Sequence, residues 1–191
     1  MEHLGTKVLE TSRLLLRPFC EADYMAMFEN WASDDEVTRY LSWPTHTSPE
    51  MTRGWLAFRE SQYGNPAYYG WAIVLKETGE VVGDISCVSI DEEIGAAEIG
   101  WVLSRRFWGQ SIVPEAGRRV IDFLLDEVGF RRVWAYHDAQ NPKSGRAMIK
   151  CGMRYEGTLS QAGLNKNKQL FDKVVYSILR SDARRKDALT Q

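Results

Sequence analysis

Between Ala97 and Val128 the chain runs an apolar strand-length segment, a basic glycine turn and a long amphipathic stretch, and this order leaves few folds open. The turn is Arg106-Phe107-Trp108-Gly109-Gln110-Ser111, and Ile112–Val128 follows at once. Within that stretch Val113, Ala116, Val120, Phe123 and Leu124 fall on one helical face, and Gly129 stops it. A helix start exposes N–H groups without intrahelical partners and the positive end of the helix dipole, so a glycine turn there suits a pyrophosphate. Downstream, a strand-like run Arg132–His137 leads into Asn141-Pro142-Lys143-Ser144 and then Lys150-Cys151-Gly152-Met153. The ordered pair of segments constrains the fold far more than a lone glycine turn would.

The rest of the chain reads as mixed α/β. Arg13–Arg17 is a first strand, Glu21–Asn30 a short helix, and Asp34-Asp35 caps a turn running to Leu41. Ser48 followed by Pro49 marks a helix start. Met51, Trp55, Phe58 and Gln62 are expected to give that helix its buried face. Tyr68–Leu75, Val81–Ile90 and Ala97–Leu103 are strands joined by short turns, which predicts an antiparallel meander. Lys143–Lys150 is a helix stopped by Gly152, and Met153–Leu159 and Leu170–Leu179 are two last strands. Helices do not alternate with strands from the start, which argues against a doubly wound dinucleotide fold.

Length sets one domain, residues 1–191, with a core over 9–179 and a polar tail over 180–191. A formal net charge of -2 argues against a general nucleic-acid or membrane-surface binder. Cys20, Cys87 and Cys151 are widely spaced and form no C-x-x-C pair, so they read as reduced thiols, with Cys87 and Cys151 in the core. Met1-Glu2-His3 begins no signal-peptide pattern, and no apolar run approaches the ~18 residues of a membrane helix. A cytoplasmic protein is expected, as monomer or homodimer. His3, His46 and His137 lack metal-ligand spacing, so no metal is expected.

The pattern Arg-x-x-Gly-x-small before a long helix resembles the acetyl-CoA motif of the GNAT superfamily of N-acetyltransferases. Thr11-Ser12-Arg13-Leu14-Leu15-Leu16-Arg17-Pro18, Ala97-Glu98-Ile99-Gly100-Trp101, Asn141-x-x-Ser144 and Gly152-Met153-x-Tyr155-Glu156-Gly157 resemble its Rim-type branch, which contains the ribosomal-protein N-terminal acetyltransferases. The resemblance spans about Leu9 to Leu179. It implies an α/β fold with a mixed, mostly antiparallel central sheet flanked by helices. The sheet would be splayed between its fourth and fifth strands, Ala97–Leu103 and Arg132–His137. Two positions depart from the pattern: Ser111 stands where glycine or alanine is usual, and Met148 where many members carry a tyrosine that protonates the leaving thiolate.

The resemblance also implies roles. Acetyl-CoA would be the co-substrate, with pantetheine bonded to backbone near Trp101 and Leu103. N–H groups from Gly109, Gln110, Ser111, Ile112 and Val113 would meet the pyrophosphate, with Arg106 adding a fixed charge. Asn141 offers the pantetheine arm both donor and acceptor. Ser144 inherits protonation of the thiolate, and the backbone near Trp101 or Val102 would hold the oxyanion. Glu98 is the carboxylate for removing the amine proton, and Trp43, in a loop between two helices, is expected to face the acceptor. Asp172 matches an aspartate of the branch without an assignable step.

An α-amine with a pKa near 7.8 is roughly 10–15% neutral at pH 7, whereas a lysine amine is below ~0.1%. A protein or peptide N-terminus therefore needs only a weak base. Two rival readings stay open: a small-molecule amine acetyltransferase, acting on a polyamine, amino acid or antibiotic, and a non-catalytic CoA-binding sensor. Plainer roles stand beside each residue. Gly109 can end a loop, Arg106 can be a solvated charge, Ser144 can cap a helix, and Glu98 can be a paired strand carboxylate.

Overall fold

The computed structural model describes residues 1–182. Most of the expected polar tail, residues 183–191, therefore lies outside the described residues. Eight strands form one sheet in the order β1-β2-β3-β4-β5-β6-β8-β7. They are β1 (Leu9–Glu10), β2 (Leu14–Arg17), β3 (Gly70–Leu75), β4 (Val81–Asp91), β5 (Ala96–Leu103), β6 (Arg132–Asp138), β7 (Arg154–Leu164) and β8 (Leu170–Leu179). The two-residue β1 was not expected, so the expected fourth and fifth strands are β5 and β6. β2 to β5 form the antiparallel meander, and β6, β8 and β7 pair antiparallel beyond it.

The parallel pair β5–β6 joins the two halves, and it is short. Ala96, Ala97 and Glu98 lie opposite Arg132, Val133 and Trp134, and pairing stops there. The crossover between them is α4 (Ile112–Asp122), extended by a wider π-type turn, Phe123–Val128, and ended by Gly129 at φ 94°. Pro114 sits in the first turn of α4, where its missing N–H costs no intrahelical bond. The expected face is buried: Val113, Ala116, Val120, Phe123 and Leu124 pack on Ala97, Ile99 and Leu103 of β5.

Side chains alternate along β5, so Glu98, Gly100 and Val102 face the opposite layer. There a second core of Phe19, Trp31, Leu56, Ala72, Val74 and Val102 packs beneath α3 (Pro49–Gln62). The expected helix over Glu21–Asn30 is broken into a 3-10 turn, α1 (Tyr24–Met27) and a π-type turn to Ala32. Asp34 caps α2 (Asp35–Thr38), and Ser48 caps α3 by accepting from the Met51 N–H at 3.3 Å.

One expectation about α3 is overturned. Thr52, Leu56 and Arg59 are buried, while Met51, Trp55 and Phe58 are exposed. Apolar periodicity misled because the inward polar groups are partnered. The Thr52 hydroxyl meets His46 Nδ1 at 2.7 Å, and Arg59 pairs with Asp84 and donates to the Tyr68 hydroxyl at 2.9 Å. α5 (Pro142–Lys150) completes the fold and ends at Gly152 with φ 92°.

Candidate active site

The fork between β5 and β6 leaves backbone groups open. Ser104 donates its N–H to the Val82 carbonyl at 2.8 Å, so the ladder turns Ser104 and Val102 toward β4. Trp101 and Leu103 then face the gap. Val102 is thereby corrected as an oxyanion donor, because its N–H serves the sheet; its side chain still walls the cavity. The indole of Trp108 donates to the Leu103 carbonyl at 2.9 Å. That leaves the Trp101 N–H and carbonyl and the Leu103 N–H for a guest strand.

The start of α4 opens on the same space. Gly109 has φ 81°, and Ser111, the N-cap, has φ 59° and makes no side-chain cap bond. Among the described residues no protein acceptor takes the N–H of Gly109, Ser111, Ile112 or Val113. These four residues help wall a cavity of about 940 Å³. The Thr11-Ser12-Arg13 segment fastens this turn from outside. Thr11, Ser12 and Arg13 all donate to the Glu115 carboxylate, and Arg13 Nη1 donates to the Gln110 carbonyl at 3.2 Å. Burial opposes the charge on Glu115, but the Thr11 and Arg13 hydrogen bonds outweigh it and hold the carboxyl below its usual range.

Two expected cofactor residues are not brought to the cavity. Arg106 turns outward, where its guanidinium pairs with Glu80 and donates to Asn30 Oδ1 at 2.7 Å. The Gln110 carboxamide donates to the Arg106 carbonyl at 3.0 Å. Positive charge comes instead from α5, whose Lys143, Arg146 and Lys150 all wall the cavity. Their spacing places them on one helical face, a signal present in the sequence but not drawn from it. Lys143 also lies over the Trp108 ring, 4.6 Å from its centroid.

Asn141 and Ser144 stand in the wall, with Met148 buried behind them. Asn141 is the N-cap of α5 but makes no side-chain cap bond. The Ser144 hydroxyl has no hydrogen-bond partner among the described residues, so it caps nothing; only its N–H is used, donating to the Asn141 carbonyl at 3.1 Å.

Glu98 occupies the fork itself. A bulge in β4 between Cys87 and Ser89 brings Ser89 opposite Glu98, and the Ser89 hydroxyl donates to Glu98 Oε2 at 3.0 Å. Burial raises the Glu98 pKa, and the Ser89 hydrogen bond and the Lys173 charge offset only part of that rise. Glu36 and Asp138 also wall the cavity, so it carries carboxylates as well as the α5 cations. Two hydrogen-bonded links tie α2 and its flanking loop to the β6 and β7 side of the sheet. The Tyr40 hydroxyl donates to the Gln140 carbonyl at 3.1 Å, and Lys166 Nζ donates to the Thr38 and Thr45 hydroxyls at 3.1 Å each. Trp43 is half-buried against His46, their rings 5.2 Å apart, and walls an adjoining recess rather than the main cavity.

The remaining candidates settle into structural roles. Asp172 accepts the N–H of Gln161, whose φ is 50°, at 2.7 Å and so fixes a kink in β7. Cys151 is buried, and burial pushes its thiol up to about 12; Cys87 is only partly buried, along the core's edge. His137 is stacked on Tyr176, and His46 is bound to Thr52. Among the described residues no three His, Cys, Asp or Glu side chains are grouped to hold a metal, and no helix is long and apolar enough to cross a membrane.

Comparison with known proteins agrees with this geometry. Residues 13–154 match the family model described as an acetyltransferase (GNAT) domain. A Bacillus subtilis (strain 168) protein named "Uncharacterized N-acetyltransferase YoaA" is 30% identical over 173 residues, covering 91% of this chain and 97% of that protein. The solved structure of a GNAT-family acetyltransferase from Bacillus anthracis superposes with a TM-score of 0.80 at 27% identity, covering 92% of this chain and 99% of that one. A ribosomal-protein-S5-alanine acetyltransferase structure from Vibrio fischeri shares the fold, with a TM-score of 0.79 at 17% identity, covering 92% of this chain and 98% of that one. The forked sheet, the open helix start and these matches together make the chain a member of the GNAT family of acetyl-CoA-dependent N-acetyltransferases.

Proposed function

We propose that this acetyltransferase acts on the α-amine of a protein or peptide N-terminus. The observation that carries the reading is Glu98, a half-buried carboxylate at the fork whose pKa burial raises, in a cavity that Trp101, Tyr136 and Phe171 also wall. The Glu98 carboxylate attracts an amine, while α5 and the free N–H groups of α4 suit the phosphates of acetyl-CoA. Pantetheine lies along β5 as a guest strand. The amine nitrogen attacks the thioester carbonyl, and the Trp101 N–H faces the developing oxyanion. The amine proton passes to Glu98, directly or through one water. The C–S bond breaks, and Ser144 gives its proton to the thiolate and recovers one from solvent.

Turnover of acetyl-CoA with unstructured peptides, set against polyamines, amino acids and aminoglycosides, tests the reading. Peptides are expected to react, and a blocked N-terminus is expected to abolish the reaction. A second reading is a small amine as the acceptor. Reaction with small amines alone would establish that one. Tight CoA binding with no reaction at all would favour a sensor.

Two variants probe the chemistry. Glu98→Gln keeps the shape and removes the base, at an expected cost of roughly 10²-fold in rate. The loss should be largest between the raised Glu98 pKa and the α-amine pKa. Below that window the wild-type carboxyl is itself protonated, and above it the amine is already neutral. A pH-independent loss would make Glu98 a positioning group. Ser144→Ala should lower kcat about tenfold with little change in the KM for acetyl-CoA. A change confined to KM would return Ser144 to a binding role.

A further inference from the structure

Beside the main cavity lies a recess of about 300 Å³ on the α3 face of the sheet. Its floor is where β5 has no side chain: Gly100 lies opposite Ser86, with Val102 and Asp84 the next pair. Trp43, Trp55, Phe58 and Val88 wall it, and Tyr68 and the paired Arg59 and Asp84 also line it. Three of these are exposed apolar groups, with Val88 63%, Phe58 56% and Trp55 39% exposed. Isolated exposed apolar side chains need no explanation, but a cluster rimming a recess marks a contact surface. The recess adjoins the main cavity, and Leu41, Val88, Gly100 and Trp101 wall both. Gly100 follows Glu98 by two residues on the same face of β5, a step of about 6.6 Å. A Cβ at Gly100 would stand 2.9 Å from Val88 Cγ2, so any larger residue there would intrude on the space.

We infer that this recess is an acceptor subsite for a bulky apolar or aromatic group carried on the carbon next to the reacting amine. For a peptide, that group is the side chain of the first residue. The inference rests on acetylation of an amine held at Glu98, as proposed above. An amine at Glu98 places its neighbouring side chain within one strand step of Gly100, and the aromatic walls then cover it. Small first residues leave the recess wet and gain nothing from it.

The test uses peptides identical except for a first residue of Ala, Ser, Leu or Phe, with phenethylamine and spermidine as small-amine probes. Leu and Phe peptides are expected to exceed Ala by at least about tenfold in kcat/KM. Phe58→Ala removes an exposed wall without touching the core. It should shrink the Phe-to-Ala ratio at least threefold and leave the Ala peptide rate unchanged. Peptides acetylated with no such preference, or a ratio unmoved by Phe58→Ala, overturn the subsite and leave the N-terminal reading standing. Phenethylamine acetylated well over spermidine, with no peptide reacting, overturns the N-terminal reading and supports the subsite. Spermidine preferred to every other probe overturns both.

Discussion

A valine at position 109 is expected to weaken acetyl-CoA binding severely. Gly109 has φ 81°, and nothing lies within 4 Å of where its Cβ would be. The space is open because it belongs to the cavity wall beside the unpartnered N–H groups of Ser111, Ile112 and Val113. A β-branched side chain there meets two obstacles. The left-handed backbone costs an L-residue roughly 1–2 kcal/mol, and the isopropyl group stands where a phosphate must approach the helix start. Calorimetry on Gly109→Val should show affinity reduced at least about a hundred-fold, some 2.7 kcal/mol. Circular dichroism should show an intact fold, because the site lies outside the core. Unchanged affinity would remove this turn from the cofactor site.

The second large effect lies beneath the α3 helix. Arg59 is buried and paired with Asp84, with its guanidinium over the Phe19 ring, 4.7 Å from the centroid. Burial weighs against the Arg59 charge, but Asp84 more than compensates and pushes its pKa upward. Arg59→Ala leaves Asp84 desolvated and unpaired, which costs about 3–5 kcal/mol. For a domain of this size that is a fall of roughly 6–20 °C in Tm. Replacing both partners together, Arg59→Met with Asp84→Leu, should recover much of the loss, since a buried pair is worth little against well-packed apolar groups. A double variant as unstable as the single one would show that geometry, not pairing, sets the cost.

The same ion pair marks a limit of reading the chain as letters. Periodicity placed Met51, Trp55 and Phe58 inside because nothing in the sequence says that Arg59 will meet Asp84 across α3 and β4. Where local patterning and tertiary contact agree, boundaries were legible. The helical run from Ile112 stops at Gly129 and α5 ends before Gly152, as those glycines signal. The site divided the same way. Gly109, Ser111, Asn141, Ser144 and Glu98, all named through the family resemblance, wall one cavity, and the roles given to them are proposals. Arg106 was misplaced because its charge was read without its partners, and Glu80 and Asn30 lie far off in sequence. Lys143, Arg146 and Lys150 were passed over because a charged helix face usually looks only at water.

The short β5–β6 seam has a thermodynamic meaning as well as a catalytic one. Two half-sheets joined over three residue pairs form an unfinished ladder. On the placement proposed here, the arm of acetyl-CoA supplies the missing rungs, so the reagent is also mortar. A ligand that binds only the folded chain adds RT ln(1 + [L]/Kd), about 2.7 kcal/mol at a hundredfold excess over Kd. The lifetime of this protein against unfolding and proteolysis is then coupled to acetyl-CoA supply: when the supply falls, the enzyme loses part of its own scaffold along with its substrate.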